Sequence, residues 1–410
     1  MKKFVDSRTT RPVVPVTNRV AVNHSAIRES NLALVAGVLF SDGSGLTRAD
    51  LAQRTGLTRA TISRLVKDLI SLDMVVEGPA SDSQGAGRPG TPLFPASRTM
   101  VGIGLEVNAD KVSGVAIDLT GATVDSFAIE IDLVGSDPEP VMALLHSHTE
   151  ALVERLEGAG IRDIVGVYVG VPGIVDAATN RVVFAPNLGW RDLFPAAYLQ
   201  DIFGPDTLIH VDNDANLQGV AAASHQDQTE RWPSSFIYLT GDVGIGGCIV
   251  TDNISMAGLH GWAGEVGHLT IEPDGPACHC GSAGCLERYA GRQAILANAG
   301  LPTTATTSDL VKRIESNDPQ VIEAIRVAGW ALGIAISNVV NLIDMTHVVL
   351  GTSLGAVLPW MRPVIERELD RRIVGRTSND IRLLAAPVEA YPTAKGGALK
   401  ALQTVLEMHA

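Results

Sequence analysis

The sequence predicts an α/β protein that carries a small winged helix-turn-helix near its N-terminal end. Three observations predict it. From Met100 onward, short apolar runs bounded by turn residues alternate with stretches of helical period. Between Thr47 and Ile70, a short helix, a glycine turn and a second amphipathic helix follow one another. Between Gly261 and Glu287, three cysteines and a histidine fall at metal-ligand spacing inside a glycine-rich loop.

With 410 residues, the chain can hold two or three domains with cores of their own. Hydrophobic residues make up 46% and charged residues 19%, a globular composition. Apolar runs such as Val327 to Ile336 are broken by glycine and too short to span a bilayer, so no membrane partner is expected. The N-terminal residues lack the apolar core of a secretory signal, and a cytoplasmic location is expected. The net charge of −13 argues against a nucleic-acid protein as a whole. A small binding module fused to an acidic body escapes that test. From Gly45 to Arg98, seven basic residues stand against five acidic ones, so the case rests on where the arginines sit.

Residues 1–25 carry Pro12, Pro15 and scattered arginines without period and are expected to form a flexible arm. From Ser25 a helical stripe of Ile27, Leu32, Leu34, Val35, Val38 and Leu39 begins, and it ends at Asp42-Gly43-Ser44-Gly45. Thr47 and Asp50 make a capping-box pair for the next helix. Gly56 turns the chain. Thr58 caps a helix whose inner face is Ile62, Leu65, Val66 and Leu69. Arg59, Thr61, Ser63 and Arg64 remain outside. Together with Thr58 they are the side-chain types that bond base edges and phosphates in a major groove. Met74 to Gly78 reads as a short strand. The Gly/Ser/Pro-rich loop from Ser81 to Pro92 reads as a wing, with Arg88 placed to enter a narrow minor groove. The partner implied is double-stranded operator DNA.

Strands follow at Val101–Val107, Lys111–Asp118, Ser126–Asp132, Val165–Val171, Leu208–Val211, Ser235–Thr240, Cys248–Thr251 and His347–Gly351. Helices are expected from about Pro138 to Leu156 and from Asp318 to Ile343. The second carries Gly329, Gly333 and many alanines, which allow close packing.

Cys278, Cys280 and Cys285 lie just beyond His268, and Glu265 and Glu287 bracket the cluster. Glycines stand where tight turns bring thiolates together. Three thiolates and one imidazole make a closed tetrahedral site that suits structural Zn2+. Clustered rather than paired cysteines fit a reducing compartment. Cys248, within an apolar run, reads as a core thiol.

Gly170-x-Pro172-Gly173, Val211-Asp212-Asn213-Asp214-Ala215-Asn216, Gly264-Glu265-x-Gly267-His268 and Cys-x-Cys-Gly-x-x-Gly-Cys-x-Glu occur in that order. In this the chain resembles the ROK family of repressors and sugar kinases, from about residue 26 to its end. The resemblance implies a two-lobed, actin-like or ribonuclease-H-like body of the sugar-kinase type. The division expected is 26–97 for the winged helix-turn-helix, 98–212 with about 384–410 for a smaller lobe, and 213–383 for a larger lobe with the zinc knuckle. It implies sugar binding by Asn213, Asp214, Glu265, His268 and Glu287, to which Asn187 is added from the other side of the cleft. His268 would serve both metal and sugar.

Family kinases hold ATP with three glycine-rich loops, and this sequence departs from each. Their places read Glu106-Val107-Asn108-Ala109-Asp110, Gly241-Asp242-Val243-Gly244-Ile245-Gly246-Gly247 and Gly351-Thr352-Ser353. Lost glycines and added carboxylates act against polyanion binding. The expectation is a sugar-responsive transcriptional regulator, a repressor, acting as a homodimer or homotetramer. No catalytic residue is expected, and Asp214 is a vestigial base. The competing expectation is an ATP-dependent sugar kinase with an accessory DNA-binding head.

Overall fold

The computed structural model of the chain describes residues 24–79, 90–161, 163–225 and 232–408. The expected arm falls outside these residues except for its last two, which open the first helix. Arg88 and the wing as far as Pro89 also lie outside the described residues.

The head begins with α1 (His24–Asp42), α2 (Arg48–Thr55) and α3 (Arg59–Ser71). Both expected N-caps form. Asp50 N donates to Thr47 Oγ1 at 3.3 Å while the Asp50 carboxylate accepts from Thr47 N at 2.9 Å. Gly56 ends α2 at φ 73, a left-handed cap that glycine adopts without strain. Leu51, Ile62, Leu65, Val66 and Leu69 are fully buried. In α1 the stripe differs from the expected one. Ile27 and Leu34 are exposed, and Ala36 joins Leu32, Val35 and Leu39 inside. Ala36 lies one residue beyond Val35 and one helical turn beyond Leu32, so its small side chain completes the face that meets α2 and α3. Strands β1 (Val75–Glu77) and β2 (Leu93–Pro95) pair antiparallel, and Leu93 N donates to Leu46 O at 2.9 Å. This small sheet is the base of a winged helix.

The body holds two five-stranded sheets among the described residues. The first contains β3 (Met100–Asn108), β4 (Lys111–Asp118) and β5 (Thr123–Glu130). Strand β5 starts three residues before the expected Ser126, because it pairs from Lys111↔Glu130 back to Ile117↔Thr123. Then come α4 (Pro138–Gly158) and β6 (Asp163–Val171). A three-stranded sheet that the sequence reading did not assign follows: β7 (Ile174–Asp176), β8 (Arg181–Ala185) and β9 (Trp190–Leu193). After α5 (Gln200–Phe203), β10 (Ile209–Asn213) completes the order β10-β6-β3-β4-β5. Helix α6 (Asp214–Ala223) leads to the second sheet, with β11 (Phe236–Thr240), β12 (Gly246–Thr251) and β13 (Ile254–Ser255). The chain continues through α7 (Glu287–Ala290), α8 (Arg292–Asn298), α9 (Thr307–Glu315) and α10 (Pro319–Ile343). Strand β14 (His347–Leu350), α11 (Thr352–Arg372) and β15 (Arg382–Ala385) give the order β13-β12-β11-β14-β15, and α12 (Pro392–Met408) closes the chain.

Helix α10 is long and apolar enough to cross a membrane by composition, yet 67% of its apolar window is buried inside the protein. A Cβ on Gly333 would come within 2.6 Å of Glu368 Cβ, so glycine is what lets α10 lie against α11. Helix α12 packs on β3 in the same way: a Cβ on Gly104 would meet Ala394 O at 1.8 Å. It also meets α6, β6 and β4 of the body and α1 of the head. Leu32, Val35 and Leu39 share one core with Val115, Ile117, Ala394, Ala398 and Leu402.

Candidate functional site

On the head, α3 presents Thr58, Arg59, Ser63 and Arg64 to solvent, whereas Thr61 is half-buried. The difference for Thr61 comes from its hydroxyl, which lies 2.9 Å from the Thr58 hydroxyl and tightens the cap. Ser63 Oγ donates to Arg59 O at 2.9 Å, which leaves only its acceptor capacity. Arg28, Arg48 and Arg54 pair with Asp68, Glu77 and Asp42. Arg59 and Arg64 form no ion pair among the described residues. Two exposed cations at the N-terminal end of α3 thus have no ion-pair partner among the described residues.

In the body, one cavity gathers every expected sugar residue: Asn187, Asn213, Asp214, Glu265, His268 and Glu287. Its walls come from segments far apart in sequence. Glycines bring them close. A Cβ on Gly244 would lie 2.6 Å from Glu287 Oε2, and one on Gly267 would lie 2.0 Å from Ile245 O. Gly173 holds φ 142, and a side chain there would strike Phe184 O.

The residues differ in what they leave open. Asn213 caps α6: its Oδ1 accepts from Ala215 N at 2.8 Å and Asn216 N at 3.3 Å, and its Nδ2 donates to Gly173 O at 2.8 Å. One amide hydrogen remains for a ligand. Asn187 forms no hydrogen bond within the described chain. Glu265 is raised above the usual carboxylate range by burial and by Glu287, against the opposing pull of His268. His268 stands between, with Nε2 4.0 Å from Glu265 and Nδ1 4.0 Å from Glu287.

Nδ1 of His268 also faces the cysteines, 3.8 Å from Cys278 Sγ. Cys280 Sγ and Cys285 Sγ lie 3.7 Å apart, and all four ligand atoms fall within 4.8 Å of one another. A tetrahedron with bonds of about 2.3 Å has edges of about 3.8 Å, so this donor set fits zinc. Burial raises the Cys278 and Cys285 thiols, and Cys278 donates to Glu287 at 2.8 Å. A dication would supply the charge that makes them thiolates. Gly284 is needed beneath: a Cβ there would overlap Glu272 O.

Asp214 is 7% exposed and accepts from Ala215 N at 2.9 Å. Burial, then Asp242 and Glu106, push its pKa to about 7. The sequence reading did not count Asn108, Thr240 or Asp242 as site residues, yet all three line the cavity. Near them two backbone amides are already satisfied. Ala109 N donates to Asn108 Oδ1 at 2.7 Å, and Gly241 N donates to Thr352 Oγ1 at 2.9 Å. Thr352 itself sits at φ 48, unusual for a β-branched residue.

A model described as the ROK family matches residues 102–403, and one described as the MarR family matches residues 38–86. The xylose repressor of Bacillus spizizenii is 28% identical over 358 residues, covering 86% of this chain and 90% of that protein. The glucokinase of Halalkalibacterium halodurans is 28% identical over 277 residues, 61% of this chain and 79% of that protein. In fold, the chain is similar to a crystal structure described as a ROK family transcriptional regulator, homolog of the E. coli MLC protein. The TM-score is 0.77 at 22% identity, covering 93% of this chain and 98% of that one.

Proposed function

The chain belongs to the ROK family, and from this premise we propose that it is a sugar-responsive, DNA-binding transcriptional repressor. The observation that carries this is the junction of two binding surfaces through one helix. Helix α12 shares a core with the head through Ala394, Ala398 and Leu402. The same helix bonds the segment that carries Asn213 and Asp214 into the cavity. Lys400 Nζ bonds Asp212 at 2.6 Å, next to Asn213 and Asp214, and Thr393 bonds Gln218 at 3.1 Å. Movement of that segment therefore has a packed route to α1.

Polyol recognition suits Asn187, Glu265, His268 and Glu287, because carboxylates and an amide bond adjacent hydroxyls in pairs. A structural Zn2+ held by His268, Cys278, Cys280 and Cys285 would fix the His268 ring and leave Nε2 toward the sugar. Thr58, Arg59, Thr61, Ser63, Arg64 and Arg88 are the residues proposed to touch operator DNA. Two copies would place two α3 helices on a palindromic site. Sugar would act by its differential affinity for the DNA-competent and DNA-incompetent forms. Similarity to a xylose repressor supports this reading and puts D-xylose first among the effectors to test.

Loss of phosphoryl transfer is supported by the bonds around the three departed loops. The amides of Ala109 and Gly241, which would face a phosphate, already serve Asn108 and Thr352. One observation favours the second reading, a sugar kinase: Asp214, near pKa 7, has the tuning of a general base. Measuring ADP release over a panel of pentoses, hexoses and amino sugars separates the two. The repressor reading expects no sugar-dependent turnover, together with sugar-dependent release of DNA in a gel shift. Robust turnover would overturn it.

A further inference from the structure

The cavity has two unlike ends. Glu265, His268 and Glu287 form the end beside the cysteines. Asn108, Thr240 and Asp242 form the other, with Asp214 between. Asp242 is held there by its Oδ2, which accepts from Gln218 Nε2 and Thr240 Oγ1 at 3.3 Å each. Behind it lies Glu106, fully buried, with Ser113 Oγ at 2.9 Å. The charge of Asp242 is felt by both neighbours, since it raises Glu106 and Asp214 after burial has done so. One ammonium answers these three carboxylates. Lys111 Nζ is 3.6 Å from Glu106 and does not line the cavity. Among the described residues, the lining contains no lysine and no arginine.

A phosphate monoester brings a charge of about −1.5 to −2 and needs cations or free amides around it. This end offers no cation, and its Ala109 and Gly241 amides are taken by side chains. It offers the carboxylate of Asp242 in a half-buried setting, where like charges repel more strongly than in water.

We propose that Asp242 is a specificity-determining residue that excludes sugar phosphates, so that the effector is an unphosphorylated sugar, neutral or cationic. This rests on the sugar-responsive reading above and narrows its ligand. In any route of sugar use, the protein then reads the substrate of the phosphorylating step and not its product.

Isothermal titration calorimetry on the full-length protein tests this. The probes are D-xylose, D-glucose and N-acetyl-D-glucosamine, each against its own terminal phosphate ester. At least one free sugar is expected to bind, with its ester weaker by about 100-fold. Asp242→Asn and Asp242→Thr are each expected to narrow that ratio by about tenfold or more, with circular dichroism confirming that the variants fold. An ester that binds as tightly as its free sugar, or a ratio unchanged in both folded variants, overturns the proposal. An ester that binds alone sinks it too, while the sugar-responsive reading stands. If neither sugars nor esters bind, that reading fails and the proposal falls with it.

Discussion

Two walls of one cavity have been treated differently by this sequence. The wall beside the cysteines keeps open valences. Asn187 is unbonded within the described chain, and His268 turns one nitrogen to Cys278 and the other toward Glu265. The wall beside Thr352 has closed several of its valences on itself. Gly241 N and Thr240 Oγ1 bond the Thr352 hydroxyl, Ser353 bonds Gly241 O, and Asn108 caps Ala109. Groups that stay unpaired when buried are costly, at about 1–3 kcal/mol each, unless a ligand satisfies them. The first wall therefore keeps groups open to a ligand, whereas in the second several such groups are taken by side chains. Shared ancestry with kinases explains why both walls exist. The bonding is the ground on which we propose that only one still serves.

The sharpest way to break the first wall is to remove a ligand of the zinc proposed for it. Cys280→Ser is expected to lose stoichiometric zinc, read by elemental analysis, and to lower the melting temperature of the body by well over 10 °C. Structural zinc supplies folding free energy of about 10 kcal/mol or more in small domains, and less is expected where a large core surrounds the site. A variant that keeps both zinc and sugar affinity would remove the metal assignment.

Asp214, between the two walls, carries a pH signature. The folded state raises Asp214 from 3.8 to about 7, so it holds that proton more tightly than the unfolded chain does. Stability from this group is greatest below pH 4 and falls as pH rises through about 7, then levels off. The span corresponds to about 4 kcal/mol. Asp214→Asn is expected to flatten the slope between pH 4 and 7 in urea denaturation. A slope equal to that of the parent protein would place the proton elsewhere.

Glu265→Gln tests the open wall alone. Loss of a charged hydrogen bond to a sugar hydroxyl is expected to weaken sugar affinity by about 1.5–3 kcal/mol. DNA affinity without sugar is expected to stay as it was. Arg64→Ala is the converse control. It lies on the head, away from both walls, and is expected to cost about 1–3 kcal/mol of operator binding. Sugar affinity measured by calorimetry without DNA is expected not to change.

The cluster of His268, Cys278, Cys280 and Cys285 was legible because its members are local. His268 and Cys285 are close in sequence, and glycines mark every turn between them. The helix-turn-helix was legible for the same reason, through Thr47, Gly56 and Thr58. What escaped the sequence reading is nonlocal. Thr240 meets Thr352 across 112 residues, and Gln218 meets Thr393 across 175. No periodicity reports such pairs. Helix α11 was hidden by Pro359 and Pro363, which sit inside it and read as breakers. The three strands between Ile174 and Leu193 are short and edged by glycine and proline, so they read as loop. The role of α12 was invisible, since alanine and glycine carry no chemistry until the two surfaces they join are known.

The central claim is that sugar in the cavity loosens the head from DNA without any phosphoryl transfer. Fluorescence anisotropy of a labelled operator duplex, selected from random-sequence DNA, tests it as a bound sugar is titrated in without ATP. The account predicts a saturable fall in operator affinity of about 5–150-fold, absent in Glu265→Gln. A sugar that binds the cavity by calorimetry and leaves operator affinity unchanged would contradict it.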